Sequence, residues 1–345
     1  MGKNITNIFQ VLTIDEQSIT PKYQQVTNAI FNAIRMGHIG ENYLLPSISD
    51  LSFELEISRD TAEKAYRNLK RLGIINSVPG KGYFVSAQKI DTMKRVLLMF
   101  NKLSQHKKII YDSFASTLGE QGTIDFYIYN NDYNLFNKIL QGKLEDYTHY
   151  VIIPHFNDNN ISPEEVLNSL SGKNLILLDK DLEDVKGDVG AVYEDFEKDI
   201  YNALEEALLR LSKYHTLKII FPAYTYFPKE ILRGFINFCV NFAFSYKVVE
   251  DLSKEKIGPG EVFINLMEDD LVILLEKIKA LSLKPGKDIG IISYNETPMK
   301  PFILNGISTI STNFTEMGRV AAQMICDGKM DKVKIDFKLT LRPSL

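Results

Sequence analysis

Tryptophan is missing from this 345-residue chain, and cysteine nearly so, with Cys239 and Cys326 as the two thiols. Both lie in apolar, helix-like stretches without metal-ligand spacing, which argues against a disulfide framework or a zinc site and for buried free thiols in a reducing compartment. Also lacking is any apolar run of about 20 residues, the length that spans a bilayer. The most apolar stretch, residues 235–249, is interrupted by Asn237, Asn241 and Lys247, and the N-terminus has no basic-then-apolar leader. A cytoplasmic protein with no membrane partner is expected. There is no glycine-rich phosphate loop, neither cysteine has a placed histidine, and the acidic residues are scattered over predicted loops and helices. Asp179 with Glu296 could be read as a glycosidase pair, but carboxylates facing each other across a cleft are equally what a sugar binder uses. The chain is therefore expected not to be an enzyme, and to need neither cofactor nor metal.

The formal net charge is −4, from 40 basic and 44 acidic residues, an unpromising balance for binding nucleic acid until the charges are located. Arg59, Lys64, Arg67, Lys70, Arg71 and Lys81 fall within one short stretch and are offset there only by Asp60 and Glu63. The local field, not the total, steers association with DNA. The same stretch has a definite order of elements. Pro46-Ser47 opens a helix with Ile48, Leu51 and Leu55 on one face, Ser47 capping its free amides. Ile57-Ser58 breaks it, and Ser58 caps a second helix whose Ala62, Ala65, Tyr66, Leu69 and Leu72 recur at three- and four-residue spacing. After Gly73, two β-prone runs, 74–78 and 83–85, flank Pro79-Gly80-Lys81-Gly82, a turn whose glycines supply unusual backbone angles. Helix, turn, basic helix and β-ribbon together describe a winged helix-turn-helix.

These residues resemble the GntR family of bacterial transcription regulators. The resemblance is carried by Pro21-Lys22-Tyr23-Gln24, Leu45-Pro46-Ser47 with Leu51, Ser58-Arg59 with Thr61, Ala65-Tyr66 and Leu69, and Gly80 with Gly82 and Val85, all in order and at the family's spacing. It implies double-stranded operator DNA as a partner, with Arg59 reading bases, Ser47, Ser58 and Thr61 on phosphates, Lys64 and Arg67 on the basic face, and Gly80 and Lys81 at the wing. Two of the family's arginines are Ser49 and Glu63 here. The general role therefore carries over better than the operator sequence does.

Beyond a polar connection at 87–94, apolar strand-like runs alternate with amphipathic helical ones, a rhythm that predicts parallel sheets covered by helices. The expected organisation is a winged domain over 1–86, a linker over 87–94 and an α/β domain over 95–345. The α/β part resembles the effector domain of the LacI family, which shares its fold with periplasmic sugar-binding proteins. The residues that carry this are Leu177-Leu178-Asp179, Val192 with Asp195, Arg233-Gly234-Phe235, the run 284–297, Ile307-Ser308-Thr309-Ile310, Met317-Gly318-Arg319 and Ala321-Ala322. This second resemblance implies a Venus-flytrap shape, one lobe from about 95–192 plus 297–325, the other from 193–296 plus 326–345.

A small sugar would then bind between the lobes, at the carboxyl ends of the strands. Asn101, Lys102, His155, Asp179, Lys180, Tyr224, Arg233, Asn295 and Glu296 stand at or just past predicted strand ends, with Phe156, Phe227 and Phe314 as aromatic platforms. The expected protein is a homodimeric regulator, a repressor of a carbohydrate-utilisation operon released from DNA by a monosaccharide. Its rivals are a transcription activator and a cytoplasmic sugar sensor acting on a protein partner.

Overall fold

The structure, a computed structural model, describes residues 7–86, 93–141, 146–156, 162–222 and 227–345. Most of the expected linker, 87–92, and the candidate Tyr224 lie outside the described residues.

The N-terminal domain packs α1 (Lys22–Arg35), α2 (Ile48–Glu54) and α3 (Arg59–Arg71) under a ribbon of β1 (Ile75–Val78) and β2 (Gly82–Val85). Local chemistry fixes each boundary. At α2, Ser47 and Asp50 form a reciprocal capping box, and at α3 the Ser58 hydroxyl accepts from the Thr61 amide. Ala62, Ala65, Tyr66 and Leu69 of α3 are buried, and Tyr66 donates to the Pro46 carbonyl at 2.7 Å, tying the second helix to the start of the first. The ribbon is antiparallel, with Ile75 opposite Val85 and Val78 opposite Gly82. Gly80 takes a φ of +75° at its tip, a region that a side chain would strain.

The remainder runs β3 (Lys94–Phe100), α4 (Gln105–Leu118), β4 (Gly122–Ile128), α5 (Tyr133–Leu140), β5 (His149–Ile152), α6 (Pro163–Leu167), β6 (Asn174–Asp179) and β7 (Val189–Tyr193). It continues with α7 (Phe196–Glu206), α8 (Leu208–Leu211), β8 (Thr216–Ile220), α9 (Lys229–Asn241), β9 (Ser245–Val249), β10 (Glu261–Asn265), α10 (Glu268–Ala280) and β11 (Ile289–Tyr294). The chain closes with β12 (Ser308–Thr312), α11 (Phe314–Asp327), β13 (Lys332–Lys334) and β14 (Phe337–Thr340). Two six-stranded sheets result, ordered β13-β7-β6-β5-β3-β4 in the first lobe and β14-β12-β11-β10-β8-β9 in the second. All pairs are parallel except β12 with β14. Strands such as Val96–Phe100 and Ile289–Tyr294 are buried along their whole length because helices cover both faces.

This topology corrects the expected lobe boundaries. Residues 308–312 pair with β11 in the second lobe, although 297–325 was assigned to the first. Conversely α11 packs on α4, and β13 pairs with β7, so that 314–334 lie in the first lobe, although 326–345 was assigned to the second. Gly318 permits this packing: a Cβ there would come within 2.3 Å of the Ile110 carbonyl oxygen. The chain passes between the lobes at Glu194-Asp195, at Asn313 and at Ile335-Asp336, and a flytrap connected in this way closes by rotating its lobes.

The N-terminal domain is seated on the first lobe's free edge. The Ile19 amide donates to the Phe126 carbonyl at 2.9 Å, and the Phe126 amide donates to the Thr20 hydroxyl at 2.6 Å. From α1, the Asn28 side-chain amide reaches the Ile124 carbonyl at 3.3 Å and the Asp125 carboxylate at 2.5 Å. Tyr127 donates to Asp15 at 2.9 Å, and Arg71 meets Glu120 at 3.1 Å. Edge strands carry unpaired backbone groups, and here residues 15–28 cover those of β4.

Candidate DNA interface and effector cleft

The N-termini of α2 and α3 and the wing open onto one groove of about 840 Å³ that brings together Ser47, Arg59 and Lys81. Arg59 is exposed at the first turn of α3, as a base reader must be. Ser58 and Thr61 share a 2.8 Å hydroxyl contact beside the same helix N-terminus. Two expected cations are engaged within the domain. Lys64 lies over the Tyr23 ring at 4.0 Å, and Arg67 pairs with Glu63 at 2.9 Å. Lys70, bonded to Ser77 at 2.7 Å, links α3 to the wing.

Between the lobes, strand ends and a helix converge on a small polar cavity. Asn101 follows β3, His155 follows β5, Asp179 ends β6, Glu194 follows β7, and Asn295 follows β11; all of them line it. Asp179 and Asn295 take φ of +71° and +65°, the left-handed turn that sends the chain out of each strand. From α4, Lys107 forms an ion pair with Asp179, the two side chains only 4% and 8% exposed. His155 Nε2 stands 3.6 Å from the same carboxylate. Burial alone would push the Asp179 carboxyl up, but the Lys107 ammonium and the His155 ring outweigh it and hold it below the usual range. Burial keeps the His155 and His106 rings neutral, with His106 pushed down to about 3. Glu194 has no such partner, and burial, reinforced by the Asp179 charge, raises its carboxyl to about 8.

Around this cavity, Asn101 Oδ1, Asp179 Oδ1 and Tyr294 Oη are buried without a hydrogen-bond partner, and Glu194 meets only the Thr312 hydroxyl behind it. Buried polar atoms are nearly always paired, so such a concentration marks a place that a polar ligand completes. The cavity itself measures about 30 Å³, room for little more than a water, and the lobes must part to admit anything larger.

Five expected residues or platforms fall elsewhere. Lys102 does not line the cavity, and Lys180 bridges the lobes at its rim, 3.6 Å from Glu230. Arg233 is 60% exposed and paired with Glu197 at 2.9 Å, because the helical register of α9 turns it outward. Glu296 is held by Arg342 at 2.8 Å and borders a separate cavity of about 450 Å³. Phe156 packs against Tyr129, Tyr133 and Phe136, whereas Phe227 and Phe314 do line the cleft. Lys107, Glu194 and Tyr294 line the cavity without having been expected there. Glu194 follows the strand-end rule already used; Lys107 sits in the first turn of a helix and carries no comparable signal.

The raised Glu194 carboxyl has a measurable consequence. Between the ordinary glutamate value of 4.5 and about 8, the unfolded chain has released a proton that the folded chain retains. Folding stability from this group is therefore fully present below the lower value and is lost as pH rises through the upper one. Glu194→Gln removes that dependence. Its melting temperature, relative to the unsubstituted chain, is expected to gain a few degrees between pH 5 and pH 8; a difference constant with pH would contradict the assignment.

Comparison with known proteins agrees with both halves. Residues 22–85 match the family model described as bacterial regulatory proteins, gntR family. The transcriptional repressor YtrA of Bacillus subtilis is 29% identical over 103 residues, 30% of this chain and 78% of that protein. The repressor NagR of the same organism is 30% identical over 91 residues, 26% of this chain but only 37% of its own length. In structure, the trehalose repressor of Escherichia coli superposes with a TM-score of 0.60 at 15% identity, covering 72% of this chain and 99% of that one. A LacI-family regulator of Enterococcus faecium with bound ribose gives 0.59 at 15% identity, covering 73% and 98%.

The molecule thus joins a GntR-family winged helix-turn-helix to a two-lobed domain with the fold of LacI-type effector domains. The N-terminal module makes it a DNA-binding transcription regulator. Among the described residues, no helix is long and apolar enough to cross a membrane.

Proposed function

We propose that this regulator is a homodimeric repressor of a carbohydrate-utilisation operon, and that a small sugar bound between its lobes lowers its affinity for operator DNA. The observation that carries this reading is the set of unpartnered buried oxygens at the strand ends of a two-lobed domain. It is supported by the repressor function of YtrA and NagR and by the ribose held by the Enterococcus faecium protein of like fold. Asn101, His155, Asp179 and Asn295 contact the sugar, together with Lys107 and Glu194. Two winged domains meet successive major grooves of a near-palindrome, with half-sites about one helical turn apart or a multiple of it. Arg59 reads bases, and Ser47, Ser58, Thr61, Gly80 and Lys81 hold the backbone.

The mechanism is linkage: sugar and operator each favour a different arrangement of the lobes, so each weakens the other by one common factor. Gel-shift titration of the upstream DNA against a panel of pentoses and hexoses tests it, and a panel without effect on affinity overturns it. Arg59→Ala is expected to cost about 1–3 kcal/mol of operator binding and to relax specificity while sugar binding persists. An unchanged footprint would remove Arg59 from the base-reading role.

A further inference from the structure

We infer that the effector is an uncharged, donor-rich ligand, and that the cleft rejects phosphorylated sugars and sugar acids. The inference rests on the reading of the cleft as an effector site and asks what chemistry its free groups accept.

Two of the unpartnered atoms, Asn101 Oδ1 and Asp179 Oδ1, can only accept, and the Tyr294 hydroxyl and the Glu194 carboxyl can either give or accept. The Asn101 amide nitrogen already donates to Asn131 at 2.8 Å, and the oxygen is the atom of this side chain left without a partner. A ligand that satisfies these two oxygens must therefore bring hydrogen-bond donors. A phosphate or carboxylate brings acceptors.

Charge points the same way. Each described cation in or beside the cleft is matched by an acid: Lys107 by Asp179, Lys180 by Glu230, and Lys300 by Glu268 at 2.9 Å. Lys300 also donates to the carbonyls of Tyr294 and Asn295, which keeps it below the cavity floor. Lys102 stands outside the cavity lining. One feature favours an anion, the N-terminus of α9 at Pro228, which has no side-chain cap. Glu230 in its first turn already supplies that negative charge, its carboxylate accepting its own backbone amide. An added anion would face the Asp179 carboxylate in a dry site with no cation released to meet it, where like charges repel strongly.

Isothermal titration of the full chain separates charge from size. The probes are D-ribose, D-glucose and D-galactose, the 5- or 6-phosphate of each, and the isosteric pairs D-glucuronate with D-glucuronamide and D-galacturonate with D-galacturonamide. At least one neutral sugar is expected to bind, with its phosphate weaker by at least about a hundredfold and a uronate weaker than its uronamide by about tenfold or more. A phosphate or uronate that binds as tightly as its neutral counterpart overturns the inference alone, as does equal weakening of a uronate and its uronamide. Failure of every probe to bind overturns the effector-site reading itself.

Discussion

Lys107→Met is expected to destabilise the protein by about 3–5 kcal/mol, the largest effect of any substitution in the cleft. Lys107 and Asp179 are both almost fully enclosed, and the lysine is what holds the carboxylate in its charged form against burial. Without it, Asp179 retains only the neutral His155 ring, and must either take up a proton or draw water between the lobes. The double substitution Lys107→Met with Asp179→Leu removes both charges and is expected to recover most of the loss, since a buried pair replaced by apolar groups of similar volume is often neutral. Urea unfolding of the two single variants and the double variant closes the cycle.

The same pair has a signature in pH. Because the folded-state value of Asp179 lies below its ordinary one, its contribution is present above the ordinary value and is lost as pH falls through the folded one. The cost of Lys107→Met should therefore shrink toward strongly acid pH. A loss below about 1 kcal/mol at neutral pH would mean that Asp179 draws its stability from other groups.

How much of this was readable beforehand depends on how local each signal is. The winged domain was fully legible because its caps, turn and glycines act within a few residues: Ser47 with Asp50, Ser58 with Thr61, and Gly80 at the ribbon tip. Parallel strands were equally plain as apolar runs, and their ends located Asn101, His155, Asp179 and Asn295 in the cleft. Periodicity does not name a strand's neighbours, however, which is why residues 308–312 were assigned to the wrong lobe. Nor does it say which partner captures a side chain. Arg233 and Glu296 stand where a ligand contact was expected, yet Glu197 and Arg342 hold them outside the cleft. Lys107 comes from a helix, and its inward turn is decided by Asp179, 72 residues away.

The second large effect concerns communication between the two halves. Under the proposed linkage, a rotation of the first lobe must be felt by the winged domain, and the contacts of residues 15–28 with β4 are a direct route. Thr20→Val removes the acceptor of the Phe126 amide, and Asn28→Leu removes the donor to both Ile124 and Asp125. Each leaves a polar group at the interface unpaired, at about 1–3 kcal/mol, while the core of the winged domain is untouched. The double variant is expected to bind operator within a few-fold of the parent and to bind sugar normally, but to lose most of the sugar's effect on DNA affinity. That effect amounts to about 1–3 kcal/mol in coupled systems, a 5- to 150-fold response that should fall to about twofold or less. The discriminating measurement is operator affinity with and without saturating sugar in parent and variant. Because coupling is reciprocal, sugar affinity with and without operator must change by the same factor. A full response in the double variant would exclude this edge as the transmitting contact and assign the coupling to the covalent connection between the domains.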